Sequence, residues 1–183
     1  LAISQILPFL PLYVEQLGVT SHEALSVWSG LTFSITFLVS AIVSPMWGSL
    51  ADRKGRKLML LRASLGMAIA ILFHALVTSV SQLFLLLGLM GLTSGYIPNA
   101  MALVASQAPR ERSGWALSTL STAQISGVIA GPLMGGFLAD TFGLRTVFLI
   151  TALLLMVSFV VTLLLIKEGG RPMVTKGERL SGK

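Results

Sequence analysis

Gly48-Ser49-Leu50-Ala51-Asp52-Arg53-Lys54-Gly55-Arg56-Lys57 is a polar turn between two long apolar runs. It returns 88 residues later as Gly136-Phe137-Leu138-Ala139-Asp140-Thr141-Phe142-Gly143, with Gly, Leu, Ala, Asp and Gly all matching. The first copy closes the second apolar run of the chain, and the second copy closes the fifth. Three runs separate the copies. If each run crosses a bilayer, an odd number of crossings puts the two copies on opposite faces. The pattern is an inverted three-plus-three repeat.

The runs themselves have the length a crossing needs. About 30 Å of hydrocarbon at 1.5 Å per residue takes about 20 mostly apolar residues. Six stretches approach or meet this: residues 1–17, 24–50, 58–77, 82–105, 114–138 and 144–166. Pro8 and Pro11 should bend the short first run. Hydrophobic residues make up 54% of the 183-residue chain and charged ones 11%, too few to cover a water-soluble surface of this size. The fold expected is an all-α membrane bundle of six helices, residues 1–166, followed by a polar, glycine-rich linker, residues 167–183. Inverted repeats of this kind build secondary transporters. Because the chain opens without Met, directly in apolar sequence, its first helix is expected to be truncated. The linker is expected to lead to a second half absent from the chain.

The net charge of +6 does not describe a nucleic-acid face, because the basic residues fall between apolar runs. Arg53, Lys54, Arg56, Lys57 and Arg62, then Arg110 and Arg112, then five residues of the tail all lie on one side. Arg145 lies alone on the other. The positive-inside rule makes loops 51–57 and 106–113 and the tail cytoplasmic, in a multi-pass protein of the cell membrane. Trp47 and Trp115 fall near the inner interface and Trp28 near the outer one.

The turn at Gly48–Lys57 holds more than a topology signal. Glycine permits close approach or positive φ. Asp52 would favour the N-terminal dipole of the third helix or of another helix nearby. Arg56 can reach a carboxylate such as Glu111 in the next loop on the same side. In the fifth run Thr119, Ala123, Gly127, Gly131, Gly135 and Ala139 recur every four residues, which makes one stripe of small side chains. Such stripes let two membrane helices touch backbone to backbone.

The Gly48–Lys57 segment resembles the signature between the second and third helices of the major facilitator superfamily. Gly127-Val128-Ile129-Ala130-Gly131-Pro132-Leu133-Met134-Gly135-Gly136 resembles the fifth-helix signature of that superfamily's drug–proton antiporters. Residues 8–18 and 113–117 are also similar to its multidrug exporters, so the resemblance covers nearly the whole chain. It implies one half of a major facilitator fold, with Gly48, Asp52, Arg53, Gly55, Arg56 and Lys57 as a conformational-switch loop. It implies Gly127, Gly131, Pro132, Gly135 and Gly136 as an antiporter motif, with the small-residue stripe set against the other half. Small amphipathic molecules and a proton are the implied cargo, with the bilayer and the second half as partners. One position departs from the pattern. Leu87 stands where the family's fourth helix carries an arginine tied to proton coupling. The resemblance also admits uptake or uniport of another small molecule, and the half-length chain admits a scaffold or inactive half.

Polar and aromatic groups at membrane depth are the candidate substrate surface: Gln5, Phe33, Tyr96, Asn99 and Gln124. Helix–helix hydrogen bonds account equally well for each taken singly. Met90 and Met101 are read as packing or lipid-facing, and His74 as structural. Glu15, near the outer end of the first helix, suits an interfacial or a proton-binding role equally. No cofactor or metal is expected: there is no cysteine, and two histidines without clustered acids do not make a metal centre. An intramembrane hydrolase would need a nucleophile with an oriented base, and His74 has no acid beside it in the sequence.

Overall fold

The structure, a computed structural model, describes Ser4 and residues 7–166. Gln5, the opening turns of the first span and the 167–183 tail lie outside the described residues. Regular structure among the described residues is entirely helical. A short 3-10 turn, Leu7–Phe9, leads into α1 (Leu10–Gln16). Then come α2 (His22–Lys54), α3 (Arg56–His74), α4 (Val80–Leu92), α5 (Tyr96–Gln107), α6 (Ser113–Phe142) and α7 (Leu144–Leu165). α4 and α5 together form the fourth span, and five of the spans are long and apolar enough to cross a membrane within the described residues. The chain is a multi-pass membrane helix bundle.

The prolines act where their chemistry allows. Pro8 lies in the 3-10 turn and Pro11 in the first turn of α1, where no intrahelical N–H is needed. Pro45 and Pro132 sit inside the two longest helices, α2 and α6.

The internal repeat is visible in the backbone. α2 ends on Gly55 at φ +96 and ψ 149, and α6 ends on Gly143 at φ +84 and ψ 157. In each case the glycine N–H donates over 2.9 Å to the alanine four residues back, Ala51 or Ala139. In each case the same glycine opens the next helix, so α2–α3 and α6–α7 turn through the same device. Almost no side chain other than hydrogen adopts this backbone region comfortably.

Packing follows the same pseudo-symmetry. α3 lies against α7, each the third helix of its repeat. α2 lies against α4, and Gly91 makes the contact possible: a Cβ there would run into the Thr36 carbonyl. Thr36 Oγ1 donates to Leu87 O at 3.1 Å across the same seam. The symmetry-related seam joins the first and fifth spans. There Ser4 Oγ donates to Gly127 O at 3.1 Å, and Phe9 stands 3.5 Å from where a Gly136 Cβ would be. Leu10, Tyr13, Ile71, Leu83, Leu87 and Phe148 are among the side chains of one buried cluster drawn from α1, α3, α4 and α7. α2 and α6 contribute little to it. Their surfaces carry Phe33, Phe37, Ile42, Ile125, Ile129 and Phe137 exposed.

Candidate functional site

The turn that opens the sequence argument connects α2 to α3 at the end of the bundle where the basic loops lie. Its glycines differ in purpose. Gly55 supplies the positive φ, whereas a Cβ on Gly48 would meet nothing within 4 Å. The close approach expected at Gly48 is therefore not made within the described residues. Asp52 falls in the last turn of α2 and is exposed, and no side chain caps the start of α3. Asp52 therefore does not cap the α3 terminus within the described residues, since α2 continues two residues past it. Arg53 is exposed as well.

Arg56 and Lys57 both donate to backbone carbonyls. Arg56 Nη1 donates to the carbonyl of Ala102 on α5, and Lys57 Nζ donates to Leu163 O on α7 at 3.0 Å. The expected pairing of Arg56 with Glu111 gives way to a carbonyl in the body of the neighbouring helix. The two basic residues join α3 to two other helices, so the turn couples three elements.

The small-residue stripe on α6 divides. Thr119 and Ala123 are exposed and Gly127 is half-buried, whereas Gly131 and Gly135 are buried inside this chain. The resemblance had set the whole stripe against a second half. Its Gly127–Gly136 portion also meets the first span, with Ser4 Oγ donating to Gly127 O at 3.1 Å and Phe9 in ordinary van der Waals range of where a Gly136 Cβ would be. Pro132, the fifth residue of the motif, is half-buried in the same stretch.

Of the four candidate substrate residues described, two are exposed and two are turned into the chain. Phe33 is exposed on α2 and stacks with Phe37 at 4.8 Å between ring centroids. Gln124 is exposed on α6. Tyr96, half-buried, places its hydroxyl 3.5 Å from Ser158 Oγ on α7. Asn99 is buried and donates over 2.7 Å to Gly95 O, one turn back on its own helix. Its amide is consumed by local structure. Met90 is core, and Leu87 is core too, 2% exposed. All five acids among the described residues, Glu15, Glu23, Asp52, Glu111 and Asp140, are exposed at or near helix ends. His74 is fully buried, with Nδ1 2.6 Å from Ala70 O and its own carbonyl accepting from Tyr13 Oη at 2.6 Å.

Sequence reasoning missed the break in the fourth span. The helix stops at Leu92, Gly95 takes φ +105, and helical bonding resumes with Asn99 N–H to Gly95 O. Pro98 is the cause that was legible: it has no N–H to give the Ser94 carbonyl. The stranded carbonyls are met from other helices. Trp47 Nε1 donates to Leu92 O at 2.9 Å and Arg62 Nη2 to Ser94 O at 2.6 Å. Longer contacts run from Arg62 to Leu92 O at 3.4 Å and Thr93 O at 3.5 Å. The Arg62 guanidinium carbon stands 3.5 Å over the Trp47 ring.

Comparison with known proteins agrees with this architecture. The chain is 59% identical over 182 residues to the Multidrug resistance protein MdtG of Klebsiella pneumoniae (strain 342), covering 100% of this chain and 44% of that protein. It is 60% identical over 179 residues to the protein of the same name from Escherichia fergusonii, covering 98% of this chain and 44% of that one. Against that of Dickeya zeae (strain Ech586) it is 59% identical over 182 residues, with coverage of 100% and 44%. The chain thus spans less than half the length of the curated relatives it matches. Residues 1–181 match the Major Facilitator Superfamily, a match that runs through both copies of the turn and every span. The chain belongs to the Major Facilitator Superfamily.

Proposed function

We propose that the chain forms the first six-helix bundle of an exporter that moves drugs or other small amphipathic molecules out of the cell by alternating access, driven by a proton gradient. The observation that carries this reading is identity near 60% along the whole chain to proteins named for multidrug resistance. The exposed apolar faces of α2 and α6 support it. They are the faces that a second bundle, of the kind the longer relatives have length for, would cover to enclose a path. Phe33 and Gln124 lie on those helices and are the substrate contacts this reading favours. Gln5, outside the described residues, stays with them, while Tyr96 and Asn99 act from behind by shaping α5. The basic loops 51–57 and 106–113 face the cytoplasm, and the 167–183 tail links the two bundles there. The switch loop and the Gly127–Gly136 motif set the two access states. Leu87 stands in place of the family arginine in the fourth span, and the five described acids are all exposed near helix ends, so the coupling carboxylate is assigned to the second bundle.

The test uses the full-length protein in cells stripped of their own exporters. Accumulation of a fluorescent lipophilic cation should fall on expression and recover when a protonophore is added. Unchanged accumulation across a panel of such dyes overturns the exporter reading. Efflux that survives the protonophore overturns the proton alone.

A further inference from the structure

The break in the fourth span is closed by side chains from two other helices, and the replacement is nearly complete. Residues 96–98 would ordinarily donate to carbonyls 92–94. Pro98 has no N–H, and the turn at Gly95 carries the N–H groups of Tyr96 and Ile97 away from the α4 end. Trp47 takes the first stranded carbonyl and Arg62 the third, with Arg62 also facing the second at longer range. A planar guanidinium with five donors suits a row of carbonyls, and its charge complements the negative end of α4. The indole under it carries both the cation and a donor.

The neighbouring residues are arranged for this contact. Gly66, one turn above Arg62 on the same face of α3, lies so close to the break that a Cβ would come within 2.6 Å of Thr93 Cγ2. Ser40, two turns from Trp47 on α2, shares a 2.6 Å hydroxyl contact with Ser94. α2 and α3 therefore both grip the break, while α5 hangs below it carrying Tyr96 and Asn99.

We propose that Arg62 and Trp47 are positioning residues for transport, standing in for the backbone rungs lost at Pro98 and thereby fixing the direction in which α5 leaves the fourth span. Arg62 in this role is more than one of the topology-setting charges: it is the seventh residue of α3, and its fork is turned onto carbonyls. The role rests on the exporter reading above for its effect on transport, but the clamp itself does not.

The experiment uses full-length protein with a single cysteine at Ala100 on α5, the rest of the protein being made cysteine-free. The maleimide labelling rate reports the setting of α5, and dye efflux reports KM and maximal rate. Arg62→Gln is expected to change the labelling rate at least tenfold and raise KM at least fivefold, with membrane insertion unchanged. Arg62→Lys is expected to behave like Arg62→Gln, because an ammonium cannot span the row of carbonyls. In a Pro98→Ala background, where Ser94 O regains a local donor, the effect of Arg62→Gln on labelling should shrink to less than threefold. Trp47→Phe keeps the ring and deletes one donor, and should shift labelling about threefold even if the Arg62 variants fail to insert. Labelling and KM within twofold of the parent in Arg62→Gln, equal effects with and without Pro98, or no shift in Trp47→Phe each overturns the proposal. A parent that labels normally but moves no dye sinks the exporter reading, and the labelling arms still decide the clamp.

Discussion

A methyl group added to Gly91 would collide with the Thr36 carbonyl and press on Val39 Cβ at 3.1 Å, so the α2–α4 seam admits no side chain there. Backbone cannot swing aside as a lysine tip can. Gly91→Ala should destabilise the bundle by about 1–3 kcal/mol, the usual range for overpacking. Gly30→Ala, whose added Cβ would meet nothing within 4 Å, is the matched control. Thermal aggregation of the detergent-purified protein measures both, and equal midpoints would show that the seam opens freely. Asp52 raises the opposite case. It is exposed, makes no hydrogen bond or ion pair among the described residues, and sits at the negative end of α2. Asp52→Asn should therefore leave this bundle unchanged or stabilise it by about 0.3–1 kcal/mol. Transport by the full-length protein should nonetheless fall, if the acid serves contacts with the second bundle. Full efflux by the Asn variant would reduce Asp52 to a bystander. Chemical type was readable from sequence at these positions, but partner was not. Arg56 was expected on Glu111 and is on the Ala102 carbonyl, since a carbonyl acceptor is present at every residue and leaves no mark in a sequence.

Elements were more legible than contacts. Apolar runs of crossing length placed the spans to within a few residues, because the hydrocarbon thickness leaves little choice of length. The repeat was legible because Gly55 and Gly143 must both be glycine to hold φ near +90. The fourth span broke unannounced because the apolar runs on either side of Thr93-Ser94-Gly95 add up to one stretch of crossing length, although Gly95 and Pro98 were the available signal. The α6 stripe was seen, but spacing by four puts small residues on one face and does not say which neighbour that face meets. The burial of Gly131 and Gly135 makes the consequence testable at this scale. Gly131→Leu should force the first and fifth spans apart, lowering the thermal midpoint as well as efflux. Met134→Leu, at an exposed position and nearly volume-conserving, should change neither. Loss of efflux in Gly131→Leu with an unchanged midpoint would instead put the stripe's work in the contact with the second bundle.

For the molecule as a whole, the remaining question is which way it faces. The five spans and the first helix alternate in direction, so fixing one loop fixes all of them. Among the described residues seven Lys and Arg side chains lie at one end, and Arg145 alone lies at the other. Moving a basic residue across the hydrocarbon centre costs roughly 2.5–3.5 kcal/mol on insertion scales, so a bias of this size is expected to set orientation. Three of the seven also join helices: Arg56 and Lys57 donate to carbonyls on α5 and α7, and Arg62 to the break in the fourth span. The absence of native cysteine in this chain makes the orientation directly readable. Single cysteines replacing Lys54 and Glu111, both exposed, should react with a membrane-impermeant maleimide only after the cytoplasmic face is opened. Cysteines replacing Thr20 and Thr141, exposed at the opposite end, should react in intact cells. Because position 141 lies in the second copy of the turn and position 54 in the first, opposite labelling of that pair also tests the inverted repeat in the membrane. Labelling of both from the same side would break the repeat, whereas a complete exchange of sides would keep the fold and reverse its orientation.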